Sequence, residues 1–566
     1  MPPQRGAAPL RTKRASQGAT VRAKSLTDSV VAAGAGLAVA VLYLFTLSGN
    51  HSENEDSLEY VIRIHHAPHS EFFEGPHIAF DWVGWVVFEA VRATGITDDP
   101  LRSIQVFDAL LAAATVGLLT WILLTGGVRP AGALVACGIV AFSYGFWRNS
   151  VEVEVYTLSA FFLVGSFGAA WYAVRRPSAR TFALLGLLNG LAVLAHLTNV
   201  LFAPVAFAAV LLARDGRGLR SLIRWLGTYV GAATAVTVPA YATAAAVLRL
   251  DSPAQFWRWL TRETKGGTYG RVDLGAVKDA VVGSGRALVG AHSALAIGSI
   301  STFVHEHFPS KPLREEAYFL RGFDTSVAVA LLVLTAIVGL LVVVLAASWL
   351  SKRTRPDERI RTAALLSAAW LVPFAAFYAF WDPLNIELWY VVWLPVAILL
   401  ALPLTAGRGP GIRTAAAIAL VAGLLVVNLF GSQLPQRANA KDYWRVRAQW
   451  YRTHARQGDL VLSYNYIWST YLAYLTPAHV VDVQRLFIDL PRPAAAKAAL
   501  RLAEATHARH VYVSDYLFDP YPGDPQACND GMGTCADAAA LRRLLQPHCR
   551  LLARTSLERV WIFRRT

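Results

Sequence analysis

The chain has 566 residues, 55% hydrophobic and only 16% charged, against roughly 45–50% and about 25% in a soluble domain, which excludes an ordinary water-soluble protein. The net charge of +15 does not indicate a nucleic-acid partner, because the Lys and Arg recur in short clusters between apolar runs, where they report membrane topology. Length alone would suggest several soluble domains, yet apolar runs fill most of the chain and leave two structural units.

Residues 1–28 carry Arg5, Arg11, Lys13, Arg14, Arg22 and Lys24 ahead of an apolar run that has no small-residue cleavage site. A cytoplasmic basic tail and a retained first span are expected, not a cleaved signal peptide. Runs near the roughly 20 residues that cross a bilayer fall at 29–48, 101–124, 131–146, 157–174, 181–196, 198–213, 225–247, 326–349, 362–381, 388–406 and 414–431. The expected fold is therefore a mainly α polytopic membrane protein with about eleven transmembrane helices. The connectors holding Arg129, Arg175, Arg176, Arg180, Arg214, Arg224, Lys352, Arg359, Arg408 and Arg413 then all lie on the side of the basic tail.

That parity requires 78–94 not to cross. Its Asp81, Glu89 and Arg92 would each cost about 2.5–3.5 kcal/mol at mid-bilayer, so an interfacial amphipathic helix is predicted there. The outer face, opposite the basic connectors, should hold loops 49–100 and 248–324 and a C-terminal domain over 432–566. In that domain β-like runs at 459–463, 479–483, 510–514 and 559–564 alternate with helix-like stretches such as 492–506, the pattern of an α/β soluble domain. Cys528 and Cys535 flank a Gly-rich turn and suit either a local disulfide or two free thiols. Asp515, Asp519, Asp524 and Asp530 are scattered through a Pro/Gly-rich loop, a solvated turn region or a calcium site. The chain has no P-loop, Rossmann glycine fingerprint or zinc-protease helix.

The chemistry is sought on the outer face. Glu53, Glu55, Asp56 and Glu59 follow the first span within seven residues. On a helix Asp56 and Glu59 share a face, and their repulsion in a partly buried site raises at least one pKa, which suits a general base or a cation ligand. A solvated acidic turn is the alternative. His65, His66, His69 and His77 follow; they suit a metal, a phosphate or plain interfacial polarity, and without partners at ligand spacing no metal is assigned. His77 stands out because Gly75-Pro76-His77 opens the amphipathic helix, and a helix N-terminus attracts anions. Between the third and fourth runs, FWRNSVEVEVYTL places Arg148, Glu152, Glu154 and Tyr156 at the outer boundary. Its alternation implies an extended stretch with both carboxylates on one side, or an ordinary polar cap on two spans.

The order of these motifs resembles a family. Asp56-Ser57 with Glu59-Tyr60 after span one, Phe146-Trp147 followed by Glu154-Val155-Tyr156, and Trp381-Asp382-Pro383 with Glu387-Leu388-Trp389 resemble the GT-C integral membrane glycosyltransferases, especially the protein O-mannosyltransferase-like group. The resemblance spans about residues 29–431. It implies transfer of a sugar, with inversion, from a polyprenyl-phosphate donor to an acceptor hydroxyl, with Asp56 as general base and Glu59 beside it. Glu154, Tyr156, Asp382 and Glu387 are then substrate-site candidates. A departing phosphate needs positive neighbours, for which His77, Arg148, Lys265 and Tyr269 are the candidates, with Arg258, Arg262 and Arg271 nearby. Most of that second-loop segment also reads as interfacial anchoring; Lys265 is the exception, because Gly266-Gly267 lets backbone approach a phosphate closely. Gly-Pro-His-Ile-Ala-Phe stands where His-Pro-Pro-Gly-Tyr or a close variant is often found, leaving the sugar open.

The resemblance implies residence in the plasma (inner) membrane of a cell envelope, with the active site and C-terminal domain extracytoplasmic. Expected partners are the lipid-linked sugar donor, a protein, lipid or glycan acceptor, and membrane lipids. The donor acts as co-substrate, and a divalent cation is the open cofactor question. A multi-span transporter or lipid-linked-sugar flippase is the competing reading; it would show charged residues inside spans, broken helices and repeated halves. Only Asp108, His196 and Asn199 lean that way.

Overall fold

The computed structural model describes residues 10–53, 56–213, 218–261, 270, 273–307, 314–347, 357–405, 411–521 and 534–564. Among them eight helices are long and apolar enough to cross a membrane: Leu26–Phe45, Pro100–Gly126, Val155–Arg175, Leu219–Val247, Thr325–Ala347, Glu358–Trp381, Ile386–Leu404 and Ile412–Gln436. Thr325–Ala347 has a mean hydropathy of 3.2 with most of its side chains unburied, a surface that a lipid solvent stabilises and water does not.

The other three expected runs are helical but not straight spans. The run at 131–146 is broken into Pro130–Phe142 and Tyr144–Ser150, bent by 65°. The break falls at Ser143, which is extended and returns its hydroxyl to the Val140 carbonyl at 2.7 Å. The runs at 181–196 and 198–213 form the shorter helices Ala179–Ala195 and Leu197–Ala213, which meet at an extended His196. Asn199 pins this hairpin, its amide donating to the Ala192 carbonyl and the Ser159 hydroxyl at 2.7 Å each.

The segment expected to lie in the interface is a helix over Phe80–Ala93, too short to cross. Its Asp81 turns inward to Arg63, while Glu89 pairs with Arg92. The basic connectors gather at one end of the bundle: Arg175 donates to the Thr125 carbonyl at 3.2 Å, close to Arg176 and Arg359, and Arg359 packs on Gly127. The acidic loops and the C-terminal domain lie at the other end.

In the second loop the helix Leu274–Leu288 lies against the segment before Ile386–Ala401. A Cβ on Gly283 would sit 2.1 Å from the Pro383 carbonyl, so only glycine permits this approach. Trp393 ties the two together by donating to the Ser284 carbonyl at 2.8 Å, while Trp389 braces the segment itself by donating to the Pro383 carbonyl at 2.9 Å.

The helical run after Ile412 continues through a π turn to Gln436, and a five-stranded sheet follows: β1 (Leu460–Ser463), β2 (His479–Asp482), β3 (Val511–Ser514), β4 (Cys549–Arg554) and β5 (Arg559–Phe563), in the order β2-β1-β3-β5-β4. β1 pairs in parallel with β2 and β3, and β5 is antiparallel to β3 and β4. The four β-like runs of the sequence are strands; β4 is an addition. Cys535 is disulfide-bonded, whereas Cys137 and Cys549 are free thiols; Cys528, Asp524 and Asp530 lie outside the described residues.

Candidate functional site

The short amphipathic helix Asp56–His66 buries Leu58, Val61 and Ile64 on one side and turns Asp56 and Glu59 the other way. Asp56 lines a cavity of about 390 Å³ and is exposed at its mouth. Burial pushes its carboxyl up to about 6, the Glu74 carboxylate adding to the push and Arg63 opposing it. Burial likewise raises Glu59 to about 7 against the pull of Arg63. Arg63 anchors the group, at 2.5 Å from Asp81, 2.7 Å from Glu74 and 3.6 Å from Glu59.

The cavity collects sequence candidates that lie far apart in the chain: Asp56, His77, Tyr156, Asp382 and Glu387 all line it. Tyr156 donates to Glu387 at 3.2 Å, and Asn385 caps the helix that begins at Ile386 by accepting the Glu387 amide at 3.0 Å. His196, set aside in the sequence, lines the same wall between Tyr156 and His77, with ring centroids 5.6 and 4.6 Å away. Burial pushes His77 down to about 3, helped by Arg63; burial, then His77, holds His196 well below its usual range. Both rings are neutral at neutral pH. His77 Nδ1 is buried without a hydrogen-bond partner among the described residues. Trp257 and Trp381 complete the lining, Trp257 being 64% exposed.

Other expectations turn out differently. Arg148 is enclosed: its guanidinium donates to the Ser48 hydroxyl at 2.7 Å and the Asn50 carbonyl at 2.8 Å, and pairs with Glu152 at 2.6 Å. It does not line the cavity, because its charge is needed to hold the start of the first loop. Glu154 is buried behind Asp56, accepting from Ser57 at 3.4 Å. Burial, then Glu387 and Asp56, raises its carboxyl well above the usual range. Its alternation partner Glu152 faces His51 and Arg148 instead. Glu53 joins a separate knot: Tyr144, Gln436 at 2.6 Å and His292 at 2.8 Å contact it, and Arg286 bridges it to Glu316. Against the cost of burial, His292, Arg148 and Arg286 hold Glu53 well below the usual carboxylate range. Glu53, His292 and Glu316 converge within 4.8 Å, a metal-like spacing, but Arg286 already supplies the positive charge there.

Arg258 is exposed on its helix. Lys265, Tyr269, Arg262 and Arg271, with Glu55, lie outside the described residues. The flanks of 262–269 do not: Thr261 lines the cavity, and the Gly270 amide donates to the Trp381 carbonyl at 3.0 Å.

Tyr466 is the residue that sequence reasoning could not find. It opens the helix Tyr466–Leu475 of the C-terminal domain and reaches Asp56 Oδ1 at 3.4 Å. Asn465 before it takes φ 88, a region that Asn tolerates better than most residues.

Residues 86–217 match the family model described as the protein O-mannosyl-transferase TMEM260 N-terminal domain. No curated protein matches the chain. Among solved structures, ArnT from Cupriavidus metallidurans bound to undecaprenyl phosphate aligns with a TM-score of 0.51 at 13% identity, covering 93% of this chain and 97% of that one. The apo ArnT structure gives a TM-score of 0.45 at 14% identity over 93% and 96%. The Saccharomyces cerevisiae Pmt1-Pmt2 complex bound to the sugar donor gives 0.31 at 15% over 43% and 36%. The first of these carries the fold assignment: the chain has the fold of the GT-C membrane glycosyltransferases and resembles their protein O-mannosyltransferase group.

Proposed function

We propose that the protein is a membrane glycosyltransferase that moves a sugar from a polyprenyl-phosphate carrier to an acceptor hydroxyl, with inversion and with Asp56 as general base. The carrying observation is that Asp56 lines one cavity while its neighbours Glu59 and Tyr466 line a second. The smaller holds Asp382, Glu387 and the His77–His196 pair; the larger, about 850 Å³, begins at its neighbours Glu59 and Tyr466. A base between donor and acceptor is what the reaction requires. The acceptor oxygen attacks the anomeric carbon as Asp56 takes its proton, and the carbon–oxygen bond to phosphate breaks with its electron pair leaving on the polyprenyl phosphate. That leaving group is already an anion, so it needs positive neighbours more than an acid.

The resemblance to a protein O-mannosyl-transferase domain and to the fold of an undecaprenyl-phosphate-bound protein supports this donor class. Within the smaller cavity His77, Asp382 and Glu387 are the polar groups that meet the sugar, and Lys265 remains the candidate for the phosphate. Trp257 and Trp381 at the mouth suit the prenyl chain at the membrane boundary.

The test is a panel of radiolabelled polyprenyl-phosphate sugars given to the purified protein, with transfer and release of free polyprenyl phosphate measured. Asp56→Asn keeps the shape and removes the base; a loss of about 10²–10⁴-fold is expected with donor binding retained. A folded Asp56→Asn that transfers at the parental rate would overturn the assignment.

A further inference from the structure

The larger cavity has an unusual wall. On one side stand Glu59, Arg63 and Glu71 of the first loop; on the other are Val480, Val481 and Asp482, most of β2. β2 is an edge strand. In a parallel pair, alternate residues turn both their N–H and C=O toward the same neighbour. His479 and Val483 donate to Asp459 and Ser463 on the β1 side at 3.0 and 2.8 Å, so Val480 and Asp482 point their backbone groups away from the sheet. No strand meets them there among the described residues. Such a row of donors and acceptors is a template for an added strand.

We propose that this edge is the acceptor dock: an extended polypeptide adds to β2 as a sixth strand and delivers a Ser or Thr hydroxyl to Asp56. The proposal rests on the glycosyltransferase reading and names its acceptor class. Three observations favour a peptide. The cavity borders the base, since Tyr466 lines it and donates to Asp56 at 3.4 Å. Its walls mix apolar Ile62, Phe73 and Leu486 with charged groups, as alternating peptide side chains require and a lipid chain does not. Arg63 is already held by Glu59, Glu74 and Asp81, which leaves Glu71 and Asp482 against Arg485, so a neutral or basic peptide fits best.

Val480→Pro tests the edge, because proline deletes only the outward N–H and spares the pairing with β1. A fluorescein-labelled basic octapeptide containing one Ser is titrated by anisotropy, and transfer is followed with radiolabelled undecaprenyl-phosphate mannose. For a Val480→Pro variant that melts with the parent, the peptide dissociation constant should rise about tenfold, the equivalent of one lost hydrogen bond. Glu71→Lys should shift preference from the basic to an acidic octapeptide. Unchanged peptide affinity in both variants overturns the dock. So does transfer to a methyl mannoside or a polyprenol but to no peptide, an outcome that leaves the glycosyltransferase reading standing. Failure of every polyprenyl-phosphate sugar in the panel to yield free polyprenyl phosphate, with any acceptor or water, overturns that reading itself.

Discussion

A carboxylate with an ordinary pKa is a weak base at neutral pH; near 6 it is still ionised and better matched to a hydroxyl's proton. Asp56 reaches that value because burial and Glu74 outweigh Arg63. The base works ionised, so transfer should be present above about pH 6 and fall tenfold per unit as pH drops below the Asp56 pKa. Glu74→Gln gives a sharper expectation. It removes a charge that raises Asp56 and frees Arg63 to lower it further, so both effects move the acid limb of kcat/KM to lower pH. A limb that stays in place or moves upward would show that another group titrates in the profile. Residue identity alone singled out Asp56, Asp382 and Glu387, and the fold brings these three to one cavity. It could not tell that Arg148 lies off that cavity, since a buried arginine with its own carboxylate and a reachable one look alike in sequence.

At the scale of elements, periodicity located the helices and four of the five strands. β4 escaped because Cys549–Arg554 carries arginines at positions 550 and 554, and its alternating burial is that of a half-exposed strand; only pairing with β5 makes it a strand. The sheet is tied to the preceding helices by Arg447, whose Nε lies 2.5 Å from Glu558. Both side chains are buried, and Glu558 also accepts from Ser514 at 2.7 Å and the Asp515 amide at 3.0 Å. Arg447 lies over Trp468 and Tyr516 as well. Removing one partner strands a buried charge, so Glu558→Ala should lower the stability of the C-terminal domain by about 3–5 kcal/mol. Pulse proteolysis checks this; a loss below about 1 kcal/mol would mean that water replaces the carboxylate.

The whole molecule is polarised. Asp442 holds the His51 amide at 3.0 Å and the Tyr471 hydroxyl at 2.8 Å, so the C-terminal domain grips the same first loop that carries Asp56. This coupling was illegible in the chain, because Tyr466 and Asp56 are 410 residues apart and no local pattern links them. The polarity itself was legible: the basic connectors predicted one orientation, and Arg175, Arg176 and Arg359 do cluster at the end opposite the cavities. If that end is cytoplasmic, cavities, edge strand and domain all face outward. Lys497 and Arg180 are exposed at the two ends. In a chain carrying Cys137→Ala and Cys549→Ala, Lys497→Cys should react with an impermeant maleimide in sealed right-side-out vesicles, and Arg180→Cys only after lysis. The reverse pattern would put Asp56 in the cytoplasm, where an acceptor peptide would have to be met before export instead of after it.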